Sequence, residues 1–396
     1  MVIKPKVRGF ICTNAHPAGC AQHVQEQIDF VKSQPQADAK PKKVLVIGAS
    51  TGYGLASRIT AAFGNGASTL GIFFEKEPTE KRTGSAGWYN TAAFQNAADE
   101  AGIYAKNING DAFSHDIKAK TIETIKADLG QVDLVVYSLA SPRRTDPVTG
   151  EVYASALKPI GNGFTTKSLN TSKRVIEEVA VEAASEEEIS GTIKVMGGED
   201  WELWMNALKD AGVLSDNVKT VAYTYIGKEL TWPLYGKATI GRAKEDLDRA
   251  ATEIRKVTSD LNGEAFVTSL NAVVTQASSA IPIMPLYISS LFKVMKADGT
   301  QENPIHQIQG LFRDNLYSTE RSLDEKNRLM QNLKELEDDV QTRVQAIWDQ
   351  VDTDSIDQLT DYTGYHHEFL KLFGFEVDGV DYDADVSPIV AINNLI

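Results

Sequence analysis

The chain is expected to be an α/β protein built on a doubly wound parallel sheet, with an elaborated substrate-side region and a helical C-terminal part. Two observations lead there. Strand-length apolar runs alternate with helix-length segments between residues 44 and 139, and a glycine-rich turn joins the first run to the segment after it. Val44–Ile47 opens the series and is apolar throughout, as a strand covered on both faces must be. A helix over 52–64 follows, then a strand at Ser68–Glu75, a helix over 89–101, a strand at Tyr104–Ile108, a helix over 114–129 and a strand at Val132–Leu139. Repeats of this kind wind a parallel sheet.

Around this core, residues 21–33 have helical apolar spacing and 34–43 form a polar, proline-containing connector. After Ser141 the alternation stops for about 75 residues, a length that loops reach mainly when functional. SPRRTDPVTGEVYASALKPIGNGF carries turn signals between short extended pieces and reads as an active-site excursion or hairpin arm. A strand at Thr220–Ile226, a helix near 237–261 and a strand at Ala265–Val274 resume the pattern. The remainder reads as mostly helical, acidic and amphipathic over 318–350, with FEVDGVDYD as a closing hairpin. No linker stands out. The expectation is one compact unit over 1–396, with a core at 44–280 that includes the 142–217 excursion and a helical region at 281–396 packed on it.

Composition excludes several classes. A formal net charge of −14 argues against nucleic acid or an anionic membrane as partner, because both select clustered Lys and Arg. Cys12 and Cys20 cannot form a disulfide scaffold and read as reduced thiols of a cytoplasmic protein. MVIKPKVRGF has no secretory character, and no run of 18 apolar residues spans a membrane. The six histidines are scattered apart from His366–His367, and no HExxH or CxxC spacing occurs, so no metal site is expected.

Gly48-Ala49-Ser50-Thr51-Gly52-Tyr53-Gly54 follows a strand and opens a helix. Glycines there allow a tight turn, close approach of backbone to a pyrophosphate and close helix–strand packing, while the helix N-terminus offers free N–H groups and a positive dipole. This context points to a dinucleotide. Phe74-Glu75 ends the second strand, where an acid either binds ribose hydroxyls or is simply a solvated strand-end residue. Asp111-Ala112 and Leu139-Ala140 follow the third and fourth strands, at the sheet end where ligands bind. Asp111 either hydrogen-bonds an adenine or caps the next helix.

Tyr235 and Lys244 are spaced Tyr-x8-Lys. Nine residues along one helix put two side chains on opposite faces, so the pair can cooperate only if Tyr235 lies outside the helix of Lys244. Pro233 and Gly236 favour such a break. Lys244 falls within the apolar stripe Ile240, Leu247, Ala251 and Ile254, which makes it either an inward functional lysine or one snorkelling from the stripe's edge. Tyr225 and Tyr223 share a strand face, and packing alone would account for an aromatic at either.

With GASTGYG and Tyr-x8-Lys, the segments KPKVRGFICTNAHPAGC, SLASPRRTDPVTGEVY, VMGGEDWELW, TQASSAIPIMPLYIS and HHEFLKLFGF make the chain resemble the FabV-type trans-2-enoyl-ACP/CoA reductases nearly end to end. These are large relatives of the short-chain dehydrogenases. The resemblance implies a monomeric, Rossmann-type, NADH-dependent enzyme that reduces enoyl thioesters carried on acyl carrier protein or CoA. It implies Tyr235 as proton donor, Lys244 as catalytic and cofactor residue, and Tyr225 as a substrate contact. Gly48–Tyr53, Phe74, Glu75, Asp111, Ala112, Leu139, Ala140 and Val273-Val274-Thr275 become NAD contacts. Glu75 is expected to disfavour NADPH, whose 2′-phosphate would face a carboxylate. The tail is sometimes labelled flavin-binding in this family, but it has no second phosphate-binding glycine turn, so FAD is not expected. Two rivals stay open: a carbonyl reductase of the same fold, and a catalytically silent NAD-binding sensor.

Overall fold

In the computed structural model, which describes residues 1–35, 39–139 and 141–396, the apolar runs become the central sheet. Among the described residues it has seven strands: β1 (Lys43–Ile47), β2 (Ser68–Phe73), β3 (Ala105–Asn109), β4 (Val132–Tyr137), β5 (Leu214–Thr224), β6 (Glu264–Ser269) and β7 (Leu329–Met330). Their order is β7-β6-β5-β4-β1-β2-β3, with every pair parallel. The chain winds from β1 outward through β2 and β3, then returns to the other side of β1 with β4. The β1/β4 boundary is therefore the switch point, where a crevice opens at the carboxyl ends of the strands.

The main helices are α1 (Pro17–Ser33), α2 (Gly52–Ile59), α3 (Ala86–Glu100), α4 (His115–Thr124), α5 (Glu186–Met196), α6 (Glu199–Asp210), α7 (Thr239–Val257), α8 (Met284–Ala297), α9 (Pro304–Gly310), α10 (Asp338–Gln350) and α11 (Tyr362–Lys371). The strand period of two decides which helices each strand residue meets. Val44 and Val46 face a layer formed by Val24 and Ile28 of α1, Ile59 of α2, Phe94 of α3 and Ile308 of α9. Leu45 and Ile47 face the other, formed by Trp201 and Trp204 of α6, Leu247 and Ile254 of α7, and Ile125. A third apolar cluster joins α8, α10 and α11 to Tyr89 and Val274 at the sheet's carboxyl end.

Several expectations need correction. The 142–217 segment is the hairpin arm expected of it, but it is far more regular than its turn signals suggest. It holds two hairpins, Arg143–Thr145 with Val152–Ala154 and Phe164–Asn170 with Val175–Val181, followed by α5 and α6. Helix α5 starts with a capping box between Ser185 and Glu188. Helix α6 buries Trp201, Trp204, Met205 and Leu208, a helical spacing. Residues 318–337 carry β7 rather than helix, so the C-terminal part contributes to the sheet itself. FEVDGVDYD forms no hairpin: the Tyr382 hydroxyl accepts from the Val377 N–H at 2.8 Å and donates to the Gly374 carbonyl at 3.0 Å, replacing a ladder with side-chain bonds. Strand β6 ends at Ser269, not Val274.

Helix α6 also fixes the turn after β3. Buried Lys118 of α4 pairs with buried Asp200 of α6 at 2.7 Å and donates to the carbonyls of Ala112 and Phe113. The Trp204 indole N–H donates to the Ala112 carbonyl at 3.1 Å, and Tyr137 of β4 donates to the second oxygen of Asp200. A buried ion pair of this kind holds position only while both partners are present.

Candidate active site

The glycine turn sits at the switch point because nothing larger than glycine fits there. A Cβ on Gly48 would lie 2.0 Å from the Ser138 carbonyl oxygen, and one on Gly54 would lie 1.8 Å from the Gly48 carbonyl oxygen. Gly48 also has φ +88°, a conformation that favours glycine. The N-terminal end of α2 is thereby pressed against the ends of β1 and β4, and Thr51 at its N-cap uses no side-chain bond to block the first turn. Ala49 is buried within the layer behind, and Gly52 faces the Cγ2 of Thr275.

Side chains of this turn reach the neighbouring strand ends. Ser50 donates to Glu75 Oε1 at 2.6 Å, and the Ser50 carbonyl accepts from Asn90 of α3 at 3.1 Å. The Glu75 backbone is clamped by Asn109, which accepts its N–H at 2.9 Å and donates to its carbonyl at 3.1 Å. The Glu75 carboxylate rests against Gly87, where a Cβ would approach to 2.0 Å. Phe74 is 77% exposed beside it. Tyr53 donates to the Asn271 carbonyl at 2.9 Å, and Ser57 shares a 2.6 Å bond with the Tyr223 hydroxyl. Tyr223 thus braces α2 and is not a free site tyrosine.

Asp111 accepts from the Phe113 N–H at 3.0 Å, while the cap of α4 is Ser114, which accepts from the Ile117 N–H. Of the two roles open to Asp111, helix cap is taken by another residue. Ala112 is buried, and Leu139 lies half-buried against the Gly48 turn. Ala140 lies outside the described residues. Val273 and Val274 are buried after β6, and Thr275 caps the short helical turn Gln276–Ser279.

Tyr235 ends a separate helical turn, Trp232–Tyr235, and extended backbone at Ala238 precedes α7. The break required for Tyr-x8-Lys is present. A Cβ on Gly241 would lie 2.0 Å from the Gly236 carbonyl oxygen, so the first turn of α7 packs directly on the break. Ile240, Leu247, Ala251 and Ile254 are all buried, and half-buried Lys244 projects among them. Its ammonium donates to the Tyr223 carbonyl at 3.3 Å and forms no ion pair among the described residues. Burial pulls its pKa down to about 8, against a smaller upward pull from Asp248.

Tyr225 and Tyr235 meet edge to face, with ring centroids 4.7 Å apart. Burial raises the pKa of both phenols, so they stay protonated at neutral pH. The Tyr235 hydroxyl has no hydrogen-bond partner among the described residues, whereas Tyr225 donates to Glu335 Oε1 at 2.8 Å. Tyr287 donates to the same oxygen at 2.9 Å, and the Ala272 N–H donates to Oε2 at 2.6 Å. Sequence reasoning missed Glu335, Tyr287 and Asn109. Glu335 sits in the run NLKELEDD, where a carboxylate reads as solvated, and no local pattern marks it as buried.

A helix N-terminus pressed onto a sheet's switch point, with two half-buried phenols beyond β5 and, on α7, a lysine without an ion pair among the described residues, is the layout of a dinucleotide-dependent oxidoreductase. Comparison with known proteins takes this further: the chain belongs to the trans-2-enoyl-CoA reductase family. Residues 82–317 match the family model of the trans-2-enoyl-CoA reductase catalytic region, and residues 2–80 match the NAD(P)H binding domain of that enzyme. The chain is 77% identical over 395 residues to a Colwellia psychrerythraea protein named enoyl-[acyl-carrier-protein] reductase [NADH], covering 100% of both chains. It is 74% identical over 396 residues to a protein of the same name from Pseudoalteromonas translucida, again covering 100% of both. Its structure resembles the Clostridium acetobutulicum trans-2-enoyl-CoA reductase in complex with NADH, with TM-score 0.95, 43% identity and 98% of each chain covered. The Treponema denticola enzyme in complex with NAD superposes with TM-score 0.94 at 47% identity, covering 99% of this chain and 100% of that one.

Residues 323–386 match a family model described as an enoyl reductase FAD binding domain. The residues present do not fit that group. Val340, Val344, Trp348, Tyr365, Phe369 and Leu370 spend the apolar faces of α10 and α11 in the core. Gly364 and Gly374 are packed against Asp361 and Cys20, not opened toward a ligand, and the strand in the segment, β7, leads into no glycine turn. Among the described residues no group of three His, Cys, Asp or Glu side chains is placed to hold a metal, and no helix is long and apolar enough to cross a membrane.

One substitution tests the turn directly. Gly54→Ala should cost about 1–3 kcal/mol of stability through overpacking and weaken dinucleotide binding by about tenfold or more. Denaturant unfolding and fluorescence titration measure these, and an unchanged affinity would mean that the close packing of α2 on the strand end does not shape the site.

Proposed function

We propose that this chain reduces the trans-2 double bond of enoyl thioesters, carried on acyl carrier protein or CoA, with NADH, as the last step of a fatty acid elongation cycle. The observation that carries the assignment of roles is the half-buried Tyr225–Tyr235 pair, its ring centroids 4.7 Å apart, with the Tyr235 hydroxyl unengaged among the described residues. NADH, when bound, supplies the hydride for Cβ of the enoyl group. Gly48–Tyr53 would receive its pyrophosphate at the α2 N-terminus. Glu75, Phe74, Asp111, Ala112 and Leu139, with Val273-Val274-Thr275, would make its further contacts.

Negative charge develops on the thioester oxygen as Cβ is reduced, and a donor aimed at that oxygen lowers the barrier. Tyr235 is that donor and Tyr225 contacts the same substrate. The Lys244 ammonium steadies the cofactor ribose and favours proton release from Tyr235. Protonation at Cα completes the reaction. The reading assigns no step to a metal or a flavin. It places the enzyme in the cytoplasm as a monomer.

Purified protein should oxidise NADH, followed at about 340 nm, only when a trans-2-enoyl thioester is added and without added flavin or metal. Oxidation driven by acetoacetyl thioester but not by enoyl thioester would overturn the reading in favour of a carbonyl reductase. Tyr235→Phe should fold normally and lower kcat by about 10²–10³ with NADH affinity nearly unchanged. Near-normal kcat would return Tyr235 to a packing role.

Cofactor choice rests on Glu75, whose carboxylate is held by Ser50 at 2.6 Å. A ribose diol donates to it, whereas a 2′-phosphate is repelled. Glu75→Ala should raise the NADPH-to-NADH ratio of kcat/KM by about tenfold or more, equivalent to ~1.4 kcal/mol. An unchanged ratio would leave Glu75 without a part in selectivity.

A further inference from the structure

Glu335 has no part in the roles above, yet it is fully buried and reaches the tyrosine pair from the C-terminal part of the chain. The groups facing it come from every element packed around it. They are Tyr225 beyond β5, the Ala272 N–H beyond β6, Tyr287 on α8 and Gln341 on α10. Tyr53 and Tyr235 feel its charge at longer range. No lysine, arginine or histidine among the described residues pairs with it. Burial without a counter-charge pushes the carboxyl up to about 7, although its three hydrogen-bond donors pull the other way.

Proton accounting in this cluster is restrictive. Tyr225 has one hydroxyl proton. While Glu335 is ionised, that proton is committed to Oε1, and Tyr225 can present only lone pairs to the site. When Glu335 is protonated, Oε2 cannot carry the hydrogen, because it faces the Ala272 N–H at 2.6 Å. The hydrogen sits on Oε1 and is donated to a phenol oxygen. Tyr287 already accepts from Gln341 Nε2 at 3.0 Å, which leaves Tyr225 as the better acceptor. Tyr225 then has its own proton free.

We propose that Glu335 is a positioning residue whose protonation decides whether Tyr225 donates a hydrogen bond to the thioester oxygen. The inference rests on the reading of Tyr225 as a substrate contact. It ties the C-terminal part of the chain to the chemistry through one carboxyl group, and it makes the donor strength of the site fall as pH rises through neutrality.

Glu335→Gln imitates the protonated form. Its amide oxygen takes the Ala272 N–H and its NH₂ faces the two phenols, at any pH. The experiment measures kcat/KM for trans-2-dodecenoyl-CoA, with saturating NADH, for the full-length wild type, Glu335→Gln and Tyr225→Phe between about pH 6 and pH 9. The ratio of Glu335→Gln to wild type should rise by about tenfold across this range, as the wild type loses one donor. Titration of Lys244 is common to both enzymes and divides out. The ratio of wild type to Tyr225→Phe should fall by the same factor, a measurement that stands even if Glu335→Gln does not fold. Flat ratios alongside an impaired Tyr225→Phe would overturn the Glu335 inference alone. A Tyr225→Phe enzyme equal to wild type at every pH would instead overturn the substrate role of Tyr225, and this inference with it.

Discussion

The contact between the Gly48–Gly54 turn and the end of β4 is the constraint on which the rest of the site depends. Backbone meets backbone there with no room for a side chain, at Gly48 against Ser138 and at Gly54 against Gly48. That closeness seats the N-terminus of α2 over the switch point. From there α2 and its turn reach the other strand ends: Ser50 to Glu75 after β2, Ser57 to Tyr223 on β5, and Tyr53 to Asn271 after β6. Shifting the turn by one methyl group displaces each of these contacts, because the interior has no slack to absorb it.

Two charges that find no counter-ion among the described residues give the candidate site its chemical character. Lys244 is inward among aliphatic residues with the Tyr223 carbonyl as its one hydrogen-bond partner among the described residues, and Glu335 is buried among neutral donors. Neither arrangement improves stability, since desolvating a lone charge is unfavourable. Each is tuned by its surroundings toward the range in which enzymes work, with the lysine lowered and the carboxyl raised. The tyrosines carry their protons firmly by contrast, which suits the donor role proposed for them.

The sheet was legible because its strands are buried on both faces, so Val44–Ile47 and Val132–Tyr137 stand out as apolar runs. The turn and the break before α7 were legible because glycine and proline act locally. Helices α5 and α6 do carry local signals, the Ser185/Glu188 box and the spacing of Trp201, Trp204 and Leu208, but the segment leading to them is dense in turn residues and hides where regular structure resumes. The end of β6 was overrun because Asn271 and Ala272 leave the ladder for Gln307 and Glu335, partners distant in sequence. Glu335 itself was not legible. Its burial follows from where β7 and α10 dock, and nothing in a charged run announces that.

The central claim is that this site delivers reducing power to the carbon–carbon double bond of an enoyl thioester and a proton to the carbon beside the carbonyl. The most direct measurement is the position of label in the product. With NADH deuterated at its transferable position, NMR of the saturated acyl thioester should show deuterium at Cβ. With unlabelled NADH in heavy water, it should show deuterium at Cα. Cofactor-derived deuterium on the carbonyl carbon, or solvent deuterium at Cβ, would contradict the account.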